Sequence, residues 1–334
     1  MAARRVGARP PDATPGAGVG ASAGGDGGAA PAAHGPGAVR AGFVTLIGRP
    51  NAGKSTLLNR LVGAKLAIVS PRPQTTRNRI TGIRNVPGAQ VVFVDTPGLA
   101  PPAGKLGEFM TQTVERALED VDLVCAVIDA TQRVHPDPGL LEPLAGRSMP
   151  VFALLNKVDA VAPKSRVLPI IDAWRAAHDF REILPISARD GTNCDRLLDL
   201  IVAALPEHPP FFPADATSDQ PETFWVAEVV REKIFHLTHE EVPYAVAVRV
   251  DDLTERRRPP RLDIRASVFV ERESQKGILI GRGGEMLKRI GMAARQELEA
   301  FFGVPVFLGL TVHVRRAWRK DDRALREFGF RLTS

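Results

Sequence analysis

From residue 41 to about residue 206, short apolar runs alternate with stretches of helical periodicity. The runs have the length and composition of buried strands, and they comprise Gly42–Ile47, Val91–Val94, Leu123–Ile128 and Val151–Leu155. Helical patterns such as Phe109–Leu118 lie between them. Parallel strands that are buried on both faces have continuous apolar sequences. The alternation therefore predicts an α/β domain, with a mostly parallel sheet and helices on both faces.

The pattern changes in the last third of the chain. A proline-rich polar segment, 207–221, is typical of a linker. It is followed by a predicted helix, two alternating antiparallel strands, a pair of helices and a last strand: Thr223–Leu237, Tyr244–Val250, Leu262–Val270, the residues around Gly281–Gly284, and Val306–Val314. This α-β-β-α-α-β order predicts a compact α+β domain over 222–334.

The first 40 residues consist mainly of Ala, Gly and Pro, with almost nothing large and apolar. Such a segment buries too little surface to offset chain entropy, so we expect a disordered extension over 1–40 and a first domain over 41–206. An excess of arginine in the extension is also a trait of targeting peptides. The segment lacks the amphipathic or apolar stretch that targeting requires, so this alternative is less favoured.

Composition narrows the classes of function. Cys125 and Cys194 lie far apart and in no metal-ligand spacing, which indicates a reducing compartment without a disulfide framework or a zinc site. No apolar run has the roughly 20 residues that span a bilayer. The net charge of +6 permits a polyanionic partner. We expect a monomer in the cytoplasm.

The first predicted strand runs directly into a phosphate-binding motif. The stretch fits G-x-x-x-x-G-K-[ST], and it comprises Gly48, Arg49, Pro50, Asn51, Ala52, Gly53, Lys54 and Ser55, followed by Thr56. Its glycines allow backbone N–H groups to surround a phosphate chain, and the following helix directs its positive end at the anion. Lys54 is expected to contact the β- and γ-phosphates, and Ser55 to bind Mg²⁺.

Two further segments are expected to complete the phosphate site. Asp95 and Gly98 form a D-x-x-G motif after the strand Val91–Val94, where the carboxylate can hold Mg²⁺ and the glycine N–H can meet a γ-phosphate. The loop before that strand contains Thr75 and Thr76, and one of them is expected to join the Mg²⁺ shell when a γ-phosphate is present. The sequence does not choose between the two threonines.

A third segment predicts which base is bound. Asn156, Lys157 and Asp159 follow the strand Val151–Leu155 in the pattern N-K-x-D. A carboxylate can accept hydrogen bonds from guanine N1–H and its 2-amino group, which adenine lacks, so such a site discriminates strongly. Ser187 and Ala188, after another strand-like run, can offer a backbone N–H to guanine O6. The nucleotides are therefore expected to be GTP and GDP.

The C-terminal domain carries a G-x-x-G loop between two helical stretches. Such loops clamp a nucleic-acid backbone in KH domains, and glycine permits the close approach. The residues expected to bind RNA here are Ile280, Gly281, Arg282, Gly283, Gly284 and Lys288. Arg315, Arg316 and Trp318 lie in a second basic stretch, which could contact phosphates and stack a base. Equally, that stretch could be a solvated strand end with its tryptophan packed on the core. Arg256–Arg258 is interpreted as a solvated hairpin loop.

Together these motifs resemble the TRAFAC-class GTPases, and the added C-terminal domain resembles that of the Era-like family from about Ala41 onward. The resemblance implies a P-loop GTPase domain of the α/β class followed by an α+β type II KH domain. It also implies binding to the 3′ end of small-subunit ribosomal RNA, a role in assembling the small (30S-type) ribosomal subunit, and peripheral association with the inner membrane.

The resemblance assigns catalysis to Lys54, Gly98 and Asn51. Leu99 stands where Ras-type enzymes have the glutamine that orients water, and a leucine cannot do this, so intrinsic turnover is expected to be slow. In related GTPases an asparagine at the position of Asn51 holds K⁺ beside the phosphates. The alternative is that Asn51 only shapes the loop.

Two other classes of protein compete with this interpretation. A metabolic P-loop kinase would have no preference for guanine, and the N-K-x-D motif argues against it. An RNA-binding scaffold with a vestigial nucleotide site would function without Lys54.

Overall fold

The computed structural model describes residues 39–70, 72–132 and 135–330. The predicted disordered extension lies outside the described residues except for Val39 and Arg40, which belong to the first strand. Within the described part, seven strands form one sheet: β1 (Val39–Ile47), β2 (Ile80–Val86), β3 (Ala89–Asp95), β4 (Leu123–Asp129), β5 (Val151–Asn156), β6 (Glu182–Pro185) and β7 (Glu207–His208).

The strand order is β2-β3-β1-β4-β5-β6, and β7 pairs with the start of β1. The neighbours from β3 to β6 are parallel, whereas β2 and β7 are antiparallel to their partners. The predicted mostly parallel sheet is confirmed. We call this sheet and the helices packed on it the N-terminal unit. Its helices are α1 (Lys54–Val62), α2 (Gly104–Arg116), α3 (Pro138–Leu141), α4 (Val167–Ala177) and α5 (Cys194–Ala204), with 3₁₀ turns at Glu142–Leu144, Val158–Ala160 and Lys164–Arg166.

Alternate residues of the central strands enter two separate cores. Cys125 and Val127 pack with α1 and α5, whereas Val124 and Ala126 pack with α2, α3 and α4. Successive side chains of a strand point to opposite faces. The helices therefore cover both faces of the sheet, as the apolar runs predicted.

The C-terminal unit contains a second sheet of three strands in the described residues. Its elements are α6 (Glu222–Leu237), α7 (Val242–Ala245), β8 (Ala247–Arg257), β9 (Pro260–Val270), α8 (Glu273–Ile280), a 3₁₀ turn (Arg282–Gly284), α9 (Glu285–Phe302), β10 (Val306–Val314), a 3₁₀ turn (Trp318–Lys320) and α10 (Asp322–Glu327). The strand order is β10-β9-β8, with β8 antiparallel and β10 parallel to β9. Apolar residues of α6, α8 and α9 form one core with this sheet.

Two details of the C-terminal unit differ from the prediction. The strand expected from Tyr244 begins at Ala247, because Val242–Ala245 forms a helical turn with Pro243 in its first turn. The expected hairpin loop is also shorter, since Arg256 and Arg257 belong to β8. Arg256 donates a 2.5 Å hydrogen bond to Asp263 on the facing strand.

The predicted linker follows the surface of the N-terminal unit. Its first residues form β7, and the Phe211 ring lies 4.8 Å from that of Phe43. Further along, the Ile83 N–H donates to the Thr217 carbonyl at 2.9 Å. These contacts attach the connection to β1 and β2.

An apolar cluster joins the two units. Leu106, Phe109 and Met110 of α2 pack against the C-terminal unit, where the cluster includes Trp318 and Phe330. The rings of Phe109 and Phe330 lie 5.7 Å apart in an edge-to-face arrangement. None of the helices in the described ranges combines the length and hydropathy needed for a bilayer crossing.

Candidate nucleotide site and RNA-binding loop

The loop between β1 and α1 has the backbone shape that its glycines predict. A side chain at Gly48 would come within 2.4 Å of the Val127 carbonyl, and one at Gly53 within 2.2 Å of the Asn156 amide. Gly53 also has a φ of 99°, which is strained for any residue with a Cβ. Only glycine fits at these two positions, so the loop can wrap closely around a phosphate chain.

Lys54 opens α1 with its ammonium folded onto the loop. Its Nζ donates to the Gly48 carbonyl at 3.0 Å and to the Arg49 carbonyl at 3.3 Å. Burial lowers the pKa of Lys54 to about 8, and the charge of Asp95 opposes part of that shift. A phosphate would supply the negative charge that this buried cation lacks.

Ser55, Thr76 and Asp95 converge on one point. The Ser55 hydroxyl donates to Asp95 Oδ2 at 2.7 Å and lies 2.8 Å from the Thr76 hydroxyl, which is itself 3.2 Å from Asp95 Oδ2. Burial raises the pKa of the Asp95 carboxyl, although Lys54 and the two hydroxyls oppose the shift. Among the described residues, Asp95 Oδ1 is buried without a hydrogen-bond partner.

This group of oxygens fits a hard cation such as Mg²⁺, which prefers carboxylate and hydroxyl ligands. Thr76 is the threonine that meets Ser55 and Asp95, whereas Thr75 takes part in a different contact, through its carbonyl. Bound Mg²⁺ would neutralise charge on the phosphate oxygens. The structure thus separates two residues between which the sequence did not choose.

Gly98 and Leu99 lie against the phosphate-binding loop. A Cβ on Gly98 would come within 2.7 Å of the Pro50 nitrogen, so only glycine allows this approach. The Leu99 N–H donates to the Gly48 carbonyl at 3.0 Å, and the Leu99 carbonyl accepts from Arg49 at 3.1 Å. Both polar groups of the Leu99 backbone are therefore held by the loop.

Arg49 is positioned by a residue that the sequence did not indicate. Its guanidinium pairs with Asp137 through contacts of 2.5 and 2.8 Å, and the hydrogen bond to Asp137 raises the pKa of Arg49. Asp137 also caps α3 through the Gly139 N–H. Asp137 is 88 residues from Arg49, and a lone Asp-Pro before a short helix carries no signal for such a contact.

Asn156 joins the phosphate loop to the predicted base site. Its side-chain amide donates to the Ala52 carbonyl at 2.8 Å, and its oxygen accepts from the Ala188 N–H at 2.9 Å. Both polar ends of the buried amide are therefore hydrogen-bonded, and Asn156 links the phosphate-binding loop to the loop that contains Ala188.

Lys157 and Asp159 each have one side-chain partner in a neighbouring loop. Lys157 Nζ pairs with Asp129 at 2.6 Å, a partner that sequence reasoning missed. The Asp159 carboxylate accepts from the Ser187 hydroxyl at 2.9 Å, which orients it. The structure therefore brings together the two segments of the predicted guanine site, the N-K-x-D motif and Ser187–Ala188.

A cavity of about 390 Å³ lies over these loops. The predicted residues that line it are Pro50, Asn51, Gly53, Lys54, Ser55, Thr56, Thr75, Thr76, Gly98 and Lys157. It is also lined by Gln74, which precedes Thr75 in the same loop, and by four residues that no motif indicated: Ile68, Val69, Ser70 and Gln132. A larger cavity of about 600 Å³ shares Gln74 and Gly98 and extends to Arg272 and Arg319 of the C-terminal unit.

The predicted G-x-x-G loop connects α8 to α9. Gly281, Gly283 and Gly284 have φ angles of 73°, 61° and 84°, which L-residues with side chains rarely adopt. A Cβ on Gly281 would come within 2.8 Å of Met286, whereas Gly283 and Gly284 have open space around them. Arg282 and Lys288 are exposed, and Ile280 packs beside the core. The loop thus presents accessible backbone next to two cations.

The second basic stretch does not provide a stacking platform. Trp318 is fully buried, its indole N–H donates to the Ala245 carbonyl at 2.8 Å, and its ring packs on Phe328 and Phe330. The prediction that Trp318 stacks a base is therefore wrong, and the alternative of a tryptophan packed on the core is the one observed. Arg315 pairs with Glu327 and Asp321, while Arg316 is exposed.

Both units are similar to known protein families. Residues 43–157 match the family described as 50S ribosome-binding GTPase, and residues 241–319 match the KH domain family. GTPase Era of Geobacter metallireducens is 49% identical over 87% of this chain and 98% of its own length. GTPase Era of Heliobacterium modesticaldum is 46% identical over 87% of this chain and 97% of its own length.

Two solved structures have the same arrangement. A crystal structure of Era in complex with MgGDPNP and nucleotides 1506–1542 of 16S ribosomal RNA aligns with a TM-score of 0.85 at 42% identity, covering 88% of this chain and all of the other. A variant of Era from Aquifex aeolicus, bound to GDP and AlF₄⁻, aligns with a TM-score of 0.84 at the same identity and coverage.

Proposed function

Because this chain belongs to the Era family of GTPases, we propose that it is a GTP-dependent switch that binds the 3′ end of small-subunit ribosomal RNA and acts in small-subunit assembly. The chain hydrolyses GTP to GDP and phosphate, with GTP, GDP and Mg²⁺ as its ligands. The RNA target and the coupling between the two units are the proposed parts.

The observation that supports the proposal is the presence of both candidate sites in one chain. The N-terminal unit brings Lys54, Ser55, Thr76 and Asp95 together, and the C-terminal unit presents the Gly281–Gly284 loop. A metabolic kinase has no need of the second site, and a passive RNA scaffold has no need of the first. A nucleotide that ordered Thr76 and Gly98 would change the contacts of the C-terminal unit and hence the affinity for RNA.

Crosslinking to total cellular RNA tests the target and the coupling together. The protein is loaded with a GTP analogue or with GDP, crosslinked, and the bound RNA is sequenced. We expect enrichment of the 3′ end of small-subunit ribosomal RNA with the analogue and less with GDP. Identical yields in both states would refute the coupling, because a coupled ligand must change the affinity of the other. Lys54→Ala, which removes the phosphate contact, should abolish the difference.

Slow intrinsic turnover follows from Leu99, which cannot donate to or accept from the attacking water. We expect the isolated protein to hydrolyse GTP on the scale of minutes or longer, as Ras does without its partner. Single-turnover measurement without RNA checks this, and turnover faster than about one per second would contradict it.

We also propose that the protein is a cytoplasmic monomer with peripheral membrane association, which rests on the family resemblance. Co-sedimentation with anionic and with neutral vesicles tests the membrane contact. No retention on either vesicle at low salt would contradict it.

A further inference from the structure

Three consecutive residues of the loop that carries Thr76 connect the GTPase site to the C-terminal unit. The Thr75 carbonyl accepts a hydrogen bond from Arg231 of α6. The Arg77 guanidinium donates to the carbonyls of Val246 at 2.6 Å, Tyr244 at 3.0 Å and Pro243 at 3.1 Å. Thr76 lies between these two anchors, with its hydroxyl beside Ser55 and Asp95.

We propose that Arg231 is a positioning residue for GTP hydrolysis: by holding the Thr75 carbonyl, the C-terminal unit places the Thr76 hydroxyl in the Mg²⁺ and phosphate site. Neighbouring Cα atoms are a fixed 3.8 Å apart, so a carbonyl that is held in place restricts the residue after it. This proposal takes one premise from the proposed function, namely that the role of Thr76 depends on the γ-phosphate.

Arg231 is itself held rigidly. Only 4% of its surface is exposed, and Glu228, three residues earlier on α6, accepts hydrogen bonds of 2.7 and 2.6 Å from the guanidinium. The guanidinium also lies 5.4 Å from the ring centroid of Phe235. A buried, paired guanidinium donates a stronger hydrogen bond than a neutral group and keeps its direction.

Burying the guanidinium groups of Arg231 and Arg77 costs free energy, which indicates that this contact does more than join the two units. Arg77 is also buried, with its guanidinium 6.0 Å from the same Phe235 ring. Burial and the neighbouring charge of Arg231 lower the pKa of Arg77 well below its usual value. Two like charges are therefore desolvated around one carboxylate, an arrangement that apolar residues of similar size often replace without loss of stability.

The alternative is that Arg231 only joins the two units, and the two roles predict different losses. A joining role lowers stability and affects GDP and GTP alike. A positioning role acts through Thr76, whose loop is ordered by the γ-phosphate and Mg²⁺, so it weakens the GTP analogue and leaves GDP unchanged.

The test uses the full chain without RNA, so that its outcome is independent of whether the proposed RNA coupling exists. For Arg231→Gln we expect about tenfold weaker binding of GDPNP and about tenfold lower kcat, the size of one charge-assisted hydrogen bond, with GDP affinity within about twofold. Arg231→Lys retains a cationic donor and should recover part of both losses. Glu228→Gln keeps the Arg231 guanidinium but removes the carboxylate that orients it, so we expect smaller losses of GDPNP affinity and kcat.

Arg249→Gln is the matched control, since Arg249 pairs with Asp251 and Glu327 inside the C-terminal unit. It should bind both nucleotides as the wild type does. A double variant with Thr76→Ala completes the test: if Arg231 acts through Thr76, adding Arg231→Gln to Thr76→Ala causes no further loss of GDPNP affinity. Additive losses, or equal weakening of GDP and GDPNP, would overturn the proposal.

Discussion

Asn51 has a φ of 63°, a left-handed conformation that asparagine tolerates better than most residues, and it lines the nucleotide cavity. We expect GTP hydrolysis to be several-fold faster in KCl than in NaCl, because the Asn51 side chain can offer its oxygen to K⁺ beside the phosphates. The initial rates of hydrolysis in the two salts measure this.

Two variants separate the K⁺ role of Asn51 from loop shaping. Asn51→Gly keeps the left-handed backbone and removes the amide, so it should lose the difference between salts. Asn51→Ala loses the amide and adds strain. If Asn51→Gly still responds to K⁺, the side chain only shapes the loop.

Lys54 gives nucleotide binding a pH dependence of definite sign. With its pKa near 8 in the free protein, Lys54 is charged at lower pH, and above pH 8 a bound phosphate must restore the proton. We expect GTP affinity to fall about fourfold from pH 7 to pH 8.5, with about half a proton taken up per GTP at pH 8.

Calorimetry in two buffers of different ionisation enthalpy measures the proton uptake by Lys54. Uptake should be close to zero at pH 6.5, where the lysine is already charged. Equal uptake at pH 6.5 and 8 would contradict the assignment of the proton to Lys54.

Among the secondary-structure elements, α8 and its G-x-x-G turn provide a matched pair of glycines. Gly281 has a φ of 73° and would clash with Met286 as alanine, whereas Gly277 lies within α8 with open space around its Cβ position. We expect Gly281→Ala to weaken binding of single-stranded RNA about tenfold, since left-handed strain of roughly 1–2 kcal/mol disfavours the loop.

Gly277→Ala should leave RNA affinity unchanged and raise the stability of the protein by about 0.5–1 kcal/mol, because alanine is the better helix former. Fluorescence anisotropy with a labelled RNA and thermal unfolding measure the two effects. Equal RNA affinity in both variants would show that the Gly281 backbone does not contact RNA.

The hydrophobic pattern of the sequence predicted strands well where burial alone decides the structure. Continuous apolar runs located β3, β4 and β5, and alternation located β9, because burial decides these strands. The pattern did not predict the helical turn at Pro243, whose carbonyl accepts from Arg77, 166 residues away. The sequence left open whether Trp318 stacks a base or packs on the core, because its burial depends on Phe328 and Phe330.

Within the site, motif spacing located the phosphate and base loops, because each loop follows directly from a strand end. Contacts between loops were not predictable. The choice of Thr76, the pairing of Arg49 with Asp137, and the contact of Arg231 with Thr75 depend on chain separations of 19 to 156 residues. The first two contacts join loops within the N-terminal unit and the third joins the two units, so all three depend on tertiary structure that local pattern does not specify.

For the whole molecule, the apolar cluster around Phe109 should decide whether the two units unfold together. Phe109→Ala leaves a cavity between α2 and Phe330, so we expect a loss of about 3 kcal/mol in the free energy of unfolding. The loss is at the contact between units, so we expect one calorimetric transition for the wild type and a broadened or split transition for Phe109→Ala.

Phe301→Ala is the control, because the Phe301 side chain is 44% exposed and lies outside that cluster. It should change the free energy of unfolding by less than about 1 kcal/mol and keep one transition. A split transition in the control, or none in Phe109→Ala, would contradict a role of the cluster in joining the units.

Many polar contacts between the two units are made to backbone carbonyls, including those of Thr75, Phe235, Thr238 and Val246. Every residue type carries a carbonyl, so the accepting positions can change identity during evolution without losing the contact. Pairwise covariation arises when one side chain must adjust to another. Across this contact, covariation should therefore be weak for the arginines and concentrated in side-chain pairs such as Lys65 with Glu232 and Glu297.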